Sequence, residues 1–394
     1  MKKRTQPVKH GPVVLPSELV REILSWLPVK TLMQFKSVSK FWKSLITIDK
    51  EFAKLHLGRS PKTSHVLLTL KEEEEDSRNC VIAPCSLRLL LEEPLSMIDE
   101  DLCYNFLAKY FVIGSSNGLV CLGSRNFYDF DFGTMDKFWV RIWNPATQLR
   151  SKKSPAFSIG NSKRFGFGYD DSRDTYKVVV LSDYPSRGKM ITKTMVYCMG
   201  DSHWRNISSD PGRPLSLMSR VGKFVGGCVN WLLEDPNNLY EHIGDSEDDE
   251  CDDIIQMAIL SFDMREETYR FLSLPDTGGV PYTSTGFGVL GDCLCLYYNH
   301  EETHFIVWQM REFGVRESWT RLMSVSYAHL RCERYAFSLP KICLCEDGDI
   351  LMLIHGFKAI KYNLRENSVK HVQHPDNKLW LNVNTYVQSL VLPR

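Results

Sequence analysis

The most informative part of the chain is Val13-Val14-Leu15-Pro16-Ser17-Glu18-Leu19-Val20-Arg21-Glu22-Ile23-Leu24-Ser25-Trp26-Leu27-Pro28. It continues as Val29-Lys30-Thr31-Leu32-Met33-Gln34-Phe35-Lys36-Ser37-Val38-Ser39-Lys40-Phe41-Trp42-Lys43-Ser44-Leu45-Ile46. Ser17 has the chemistry of an N-cap, and Glu18 and Glu22 follow where a helix start favours negative charge. Leu19, Ile23 and Leu27 recur every four residues with Val20 and Leu24 beside them, so one wide helical face is apolar. Pro28 stops that helix and suits the first position of the next. Leu32, Phe35 and Val38 recur every three residues, and Phe41, Trp42, Leu45 and Ile46 continue on a third short helix. Three small helices cannot bury this many large apolar side chains among themselves, so part of the surface is expected to wait for a partner.

Leu15-Pro16, Ile23-Leu24, Leu27-Pro28, Leu32, Phe35, Val38-Ser39-Lys40 and Trp42 stand in an order that resembles the F-box, the adaptor motif of SCF-type ubiquitin ligases. The resemblance implies a three-helix unit that docks on a Skp1-like adaptor and, through it, on cullin-1. It also implies Skp1 contact for Leu15, Pro16, Leu19, Ile23, Leu24, Leu27, Pro28, Val38 and Trp42, with Leu32 and Phe35 serving the unit's own packing as much as the interface. Gln34 and Ser37 stand where Arg and Cys are frequent in plant members; both changes are mild and leave the docking reading intact.

Charge supports that partner. Over the whole chain Lys and Arg balance Asp and Glu at 48 each, yet residues 1–60 hold 12 basic against 4 acidic residues, which leaves the remainder acidic. A basic helical segment fits an acidic protein partner better than nucleic acid or a membrane surface. Lys2, Lys3 and Arg4 are followed by polar residues where a secretory apolar region is needed, and no window approaches the roughly 18 continuous apolar residues of a membrane span. The expected location is cytoplasmic, nuclear or both. None of the 12 cysteines forms a C-x-x-C pair, so neither a zinc site nor a disulfide framework is expected. Cys293/Cys295 and Cys343/Cys345 sit at strand spacing and read as small buried hydrophobes.

The rest of the chain is a succession of short strand-like runs. Ser64–Leu70 reads as a strand, Glu72 to Glu75 as part of a charged loop, and Cys80–Leu107 is ambiguous between strand and helix. From Tyr110 onward, runs such as Leu119–Leu122, Trp139–Trp143, Tyr176–Leu181 and Met195–Cys198 alternate with turn residues, and helical periodicity is scarce. An apolar run, a polar turn and a second short run recur at Ile142–Leu149, Val196–Trp204, Leu260–Tyr269, Val307–Trp319 and Ile360–Asn367. Phe262, Trp308 and Tyr362 mark comparable places at intervals of 46 and 54. Periods near fifty in an all-β segment point to propeller blades, and pairing of Ser64–Leu70 with Tyr386–Leu392 would close the ring.

These residues also resemble the plant F-box-associated domain of F-box/kelch-like proteins. The resemblance rests on Asn117–Cys121, Trp143–Thr147, Gly166–Asp170, Asp174–Val179, Gly227–Trp231, Ser261–Asp263 and the Tyr386–Leu392 ending, whereas Gly226-Gly227 and Gly278-Gly279 echo kelch double glycines only weakly. The expected architecture is α+β multidomain. It comprises a flexible basic tail (1–12), a helical F-box (13–57), a linker (58–63) and a β-propeller-like substrate-recognition domain (64–394).

No nucleophile elbow, metalloprotease motif or phosphate loop is present. His300 and His304 read as flanks of a hairpin tip. The Asp245–Asp253 run, 7 acidic residues in 9, lacks the spacing and central glycine of a calcium loop and reads as a solvated loop. No cofactor, metal or catalytic residue is expected, and the substrate-binding residues are not readable. The expected function is a non-catalytic substrate receptor of a ubiquitin ligase. The alternatives are a Skp1-bound scaffold that degrades nothing and a glycan- or ligand-binding propeller protein.

Overall fold

The computed structural model describes residues 15–61, 65–71, 79–87, 90, 104–107, 110–124, 137–158, 161–186, 189–208, 216–217, 219–234, 257–276, 283–331, 341–344, 349–354, 358–373 and 379–393. The tail at 1–12, the Glu72–Glu75 row, the Asp245–Asp253 run, Gly278-Gly279 and Cys345 lie outside these residues.

Four helices come first among the described residues: α1 (Ser17–Leu24), α2 (Val29–Phe35), α3 (Lys40–Thr47) and α4 (Lys50–Arg59). Their caps correct the expected start signal. Pro16 occupies the N-cap position of α1 with no side-chain cap bond, and the Ser17 hydroxyl instead donates to Glu18. Pro28 likewise precedes α2 as its N-cap residue. Side-chain capping is found further on, where Ser39 Oγ accepts from Trp42 N and Asp49 Oδ1 accepts from Phe52 N.

Among the described residues six sheets of four or more strands follow, arranged as a β-propeller. The first joins Leu379–Tyr386, His65–Lys71, Asn79–Ser86 and Tyr104–Leu107 in that order. The second holds Tyr110–Ser116, Leu119–Ser124, Val140–Asn144 and Leu149–Arg150; the third Asn161–Asp170, Thr175–Ser186, Lys189–Cys198 and Arg205–Ile207. The fourth is built on Cys228–Glu234, Met257–Asp263 and Tyr269–Leu272, with Ser216–Leu217 and Lys223–Val225 both pairing Cys228–Glu234. Thr283–Leu290, Cys293–His300, His304–Met310 and Trp319–Ser326 make the fifth, and Lys341–Leu344, Ile350–Ile354, Lys358–Asn363 and Ser368–Gln373 the sixth. The innermost strands neighbour one another round the ring, and Leu379–Tyr386 lies between Lys341–Leu344 and Tyr110–Ser116. The ring therefore closes by pairing the end of the chain with its first strand, His65 opposite Tyr386 and Lys71 opposite Leu379. The closing strand is Leu379–Tyr386 rather than the expected Tyr386–Leu392, and residues beyond Tyr386 leave the sheet. The ambiguous stretch after Cys80 contributes the strands Asn79–Ser86 and Tyr104–Leu107.

Continuous apolar runs follow from sheets covered on both faces. Val178 and Val180 face a cluster shared with the second sheet, while Val179 and Leu181 face one shared with the fourth. Gly166 is required at that second contact: a Cβ there would meet Val229 Cγ1 at 2.5 Å and Trp231 at 2.9 Å. The recurring sequence pattern is the hairpin between the third and fourth strands of five successive sheets. In three of them an aromatic residue precedes an Asn or Asp whose Oδ1 caps the turn. Asn144 accepts from Ala146 N and Thr147 N, Asp263 from Arg265 N and Glu266 N, and Asn363 from Arg365 N and Glu366 N. Gln148, Glu267 and Asn367 close these turns at positive φ.

Between the third and fourth sheets lies a buried ion network. Lys177 Nζ sits 2.8 Å from Asp170 Oδ2 and donates to Glu267 Oε1 at 2.9 Å and to the Met264 carbonyl at 2.6 Å. Glu267 also accepts from Arg205 at 2.9 Å. Burial pushes both carboxyls up, and the bonds from Lys177, Ser172 and Arg205 more than reverse this, leaving Asp170 and Glu267 below their ordinary values. At the fifth sheet His300 pairs with His304 across a three-residue tip, and of the Cys293/Cys295 pair only Cys295 is fully buried.

Candidate functional site

Ten large hydrophobic side chains are exposed among the described residues, and seven of them belong to the helical unit: Leu15, Leu19, Ile23, Trp26, Val38, Phe41 and Ile48. That concentration makes its outer face the candidate site. On α1 the apolar residues divide into two arcs. Val20 and Leu24 turn inward onto Val29, Leu32, Leu45, Ile46 and Phe52, whereas Leu19 and Ile23 stay half exposed, at 51% and 52%. Trp26, three residues after Ile23 and seven after Leu19, extends the outward arc just past the helix end.

The face is held stiff from behind. Arg21 makes a bidentate bridge from α1 to Asp49 at 2.9 and 3.0 Å. Arg59 at the end of α4 lies 4.6 Å from the Trp26 ring and pairs with Glu22 at 2.9 Å, so the most exposed tryptophan of the face stacks under a guanidinium. Hydrogen bonds from Arg59 and Trp26 hold the Glu22 carboxyl below its ordinary range. His56 is buried, and its Nε2 contacts the Leu27 carbonyl at 2.9 Å; burial lowers its pKa, a shift the carbonyl contact opposes in part. Phe35 and Trp42 meet at 5.5 Å between ring centroids.

Of the nine side chains expected on the docking surface, Leu15, Pro16, Leu19, Ile23, Pro28 and Val38 are exposed, and Leu27 and Trp42 are partly buried. Leu24, also expected there, lies inside. At 1% exposure it belongs to the unit's own core, because it lies about 100° around the helix from Ile23 on the arc that faces α2, α3 and α4. Trp26, Phe41 and Ile48 are exposed on the same unit without having been among the expected residues. Trp26 carried a usable signal in its spacing from Leu19 and Ile23, while Phe41 and Ile48 are told from Leu45 and Ile46 only by packing.

A family model described as the F-box domain matches residues 14–54, and one described as the F-box associated beta propeller domain matches residues 132–392. The chain belongs to the F-box proteins with an F-box associated propeller. Among curated relatives in Arabidopsis thaliana, F-box/kelch-repeat protein At3g23880 is 28% identical over 331 residues, which is 80% of each chain. F-box protein CPR1 is 24% identical over 406 residues, covering 96% of this chain and 89% of its own. Among solved structures, the Aleuria aurantia lectin AAL aligns over 79% of this chain and 97% of its own at 7% identity, with a TM-score of 0.37 too low to say anything of ligands.

The F-box rests on the propeller by the face opposite its exposed arc. Ala146, in the capped turn of the second sheet, packs against the helical cluster, and Lys54 of α4 pairs with Asp174 of the third sheet at 3.2 Å.

Proposed function

We propose that the chain is the substrate-recognition subunit of an SCF-type E3 ubiquitin ligase. In this reading the F-box docks on a Skp1-like adaptor, and through it on cullin-1, while the propeller captures a target protein. The observation that carries the reading is the outward arc Leu19, Ile23 and Trp26, continued by Val38 and Phe41, left exposed on a unit whose other face is committed to its own core and the propeller. Exposed Lys30, Lys40 and Lys43 beside it favour an acidic partner.

The propeller's part follows from strand direction. Second strands leave turns on the F-box side, at Asn117–Gly118 and 171–174, and run to the opposite rim, ending at Ser124 and Ser186. That rim, facing away from the F-box, is the proposed capture surface. The chemistry is proximity: a captured protein's lysine is held near a ubiquitin-charged conjugating enzyme, which raises the effective concentration of the reacting groups with no covalent step on this chain. The proposed working location is the cytoplasm or nucleus.

Co-purification with a Skp1-like protein tests the docking half. Wild type is expected to form a one-to-one complex that an Ile23→Asp, Trp26→Ala variant does not form, with the circular dichroism unchanged. Equal capture of the two proteins, or capture of neither, rejects the reading.

A further inference from the structure

The last residues of the chain lie between its two bodies. After Tyr386 the backbone leaves the closing sheet and has no strand partner as far as residue 393. Side chains of the propeller hold it instead. Asn144 Nδ2 donates to the carbonyls of Ser389 and Val391, at 2.9 and 2.8 Å, while its Oδ1 caps the turn that carries Ala146. Asn144 is fully buried, so it has no water to fall back on. Ser389, also fully buried, donates from Oγ to the Asn117 carbonyl at 2.9 Å. At the adjoining Gly118, with φ of +82°, a Cβ would strike the Ser389 hydroxyl and come within 2.7 Å of the Val387 carbonyl. Side chains along this segment alternate between the bodies. Val391 packs into the cluster of the second and third sheets, and Leu390 enters the F-box core beside Leu24, Leu32 and Phe52 at 2% exposure. The Lys54–Asp174 pair is the other polar tie described, and half-exposed pairs of this kind contribute little.

We propose that residues 387–393 form a strap that fixes the angle between F-box and propeller, which makes Leu390 and Asn144 positioning residues for ubiquitin transfer. The transfer role rests on the ligase reading above, whereas the strap itself does not. A freely hinged F-box would spread the target over a large volume and dilute the reacting groups, while a rigid seat holds one geometry. Leu390 supplies the apolar peg, and Asn144 fixes the height of the peg by gripping the carbonyls on either side of it.

The test uses the full chain with Leu390→Asp, Asn144→Ala, Leu390→Met and Asp174→Ala. The first readout is trypsin cleavage after Arg59 and Lys62, between the bodies, under native conditions without any partner. Leu390→Asp is expected to raise that rate about a hundredfold and Asn144→Ala about tenfold, as loss of a buried anchor shifts local opening. Leu390→Met and Asp174→Ala are expected to stay near wild type, all four to keep Skp1 capture, and all but Asn144→Ala, which also loses the cap of its own turn, to keep the propeller's thermal transition. The second readout, in a reconstituted ligase, maps which lysines of the chain accept ubiquitin: a narrow set in wild type and Leu390→Met, a broad one in Leu390→Asp. Unchanged cleavage in both Leu390→Asp and Asn144→Ala overturns the strap. Loss of Skp1 capture in Leu390→Asp overturns it too, by making Leu390 part of the F-box fold rather than a link between folded bodies. Increased cleavage with an unchanged ubiquitin map overturns the positioning role. Failure of wild type to capture Skp1 overturns the ligase reading and that role with it, leaving the cleavage result to judge the strap.

Discussion

Ile23 of the F-box and Val179 of the propeller are both β-branched aliphatic residues in apolar stretches, yet Ile23 is half exposed and Val179 has no exposed surface. The difference lies in how many sides each element has covered. A propeller sheet is sandwiched between two neighbours, so Val178 and Val179 on opposite faces are both buried. A short helix in a four-helix unit has one covered arc, and whatever apolar residues lie on the other arc remain available for a partner. Polar groups follow the reverse pattern. The propeller interior holds Lys177, Asp170 and Arg164 at 1% exposure or less, whereas the F-box keeps its ion pairs Arg21–Asp49 and Arg59–Glu22 at the surface. One region covers its own apolar surface, and the other leaves part of it exposed.

The largest effect expected of this contrast is at Lys177. Lys177→Met leaves Asp170 buried with its cation gone and Glu267 with Arg205 alone, and should cost the propeller about 3–5 kcal/mol in denaturant unfolding; a loss under about 1 kcal/mol would show that the network is solvated and that the two regions treat charge alike. Next come two neighbouring positions on α1 with opposite outcomes. Ile23→Asp should weaken Skp1 capture by about 2–4 kcal/mol with unfolding unchanged, while Leu24→Ala should destabilise the helical unit by about 2–4 kcal/mol and leave the exposed arc in place. A matching pair of effects would mean that α1 is not divided into two arcs.

Acid sharpens the comparison further. Burial depresses the His65 pKa to about 4, and lowers that of His56 as well. Both are neutral in the fold and bind protons more readily when unfolded. Their contribution is therefore complete above the unfolded value near 6.5 and is lost as pH falls toward the folded value. The thermal midpoint is expected to drop between pH 7 and pH 4.5, and His65→Gln to flatten that drop, since His65 lies on the ring-closing pair with Tyr386. An identical pH profile in the variant would remove His65 from the account. The smallest effect is at Lys54, where Lys54→Ala breaks a half-exposed bridge to Asp174 and should change stability by less than about 1 kcal/mol.

Much of this architecture was legible from local pattern. The apolar spacing between Leu19 and Ile46 marks the helices, and the hairpin pattern repeated from Ile142 to Asn367 marks the sheets, because helix period, strand alternation and Asx turns are set within a few residues. Motif residues that read as family marks acquire physical roles in the fold: Gly166 admits Val229 and Trp231, Lys177 ties the third sheet to the fourth, and Asn144 grips the end of the chain. Leu24 and Ile23 are equally apolar neighbours, so no local rule assigns one to the core and the other to the surface. The ending misled for a related reason. Val387, Leu390 and Val391 have strand-like composition, but Leu390 is drawn into the F-box, and the ring is closed by residues before them.

By itself, then, the amino-acid sequence determined the element types, their order, the turn chemistry and the surplus of apolar surface on the first sixty residues. Tertiary structure alone decided which arc of α1 stays open, which strand closes the ring and how the F-box is seated. Those outcomes depend on contacts such as Asn144 with Ser389, between residues far apart in the chain, whose free energy exists only once both bodies are formed.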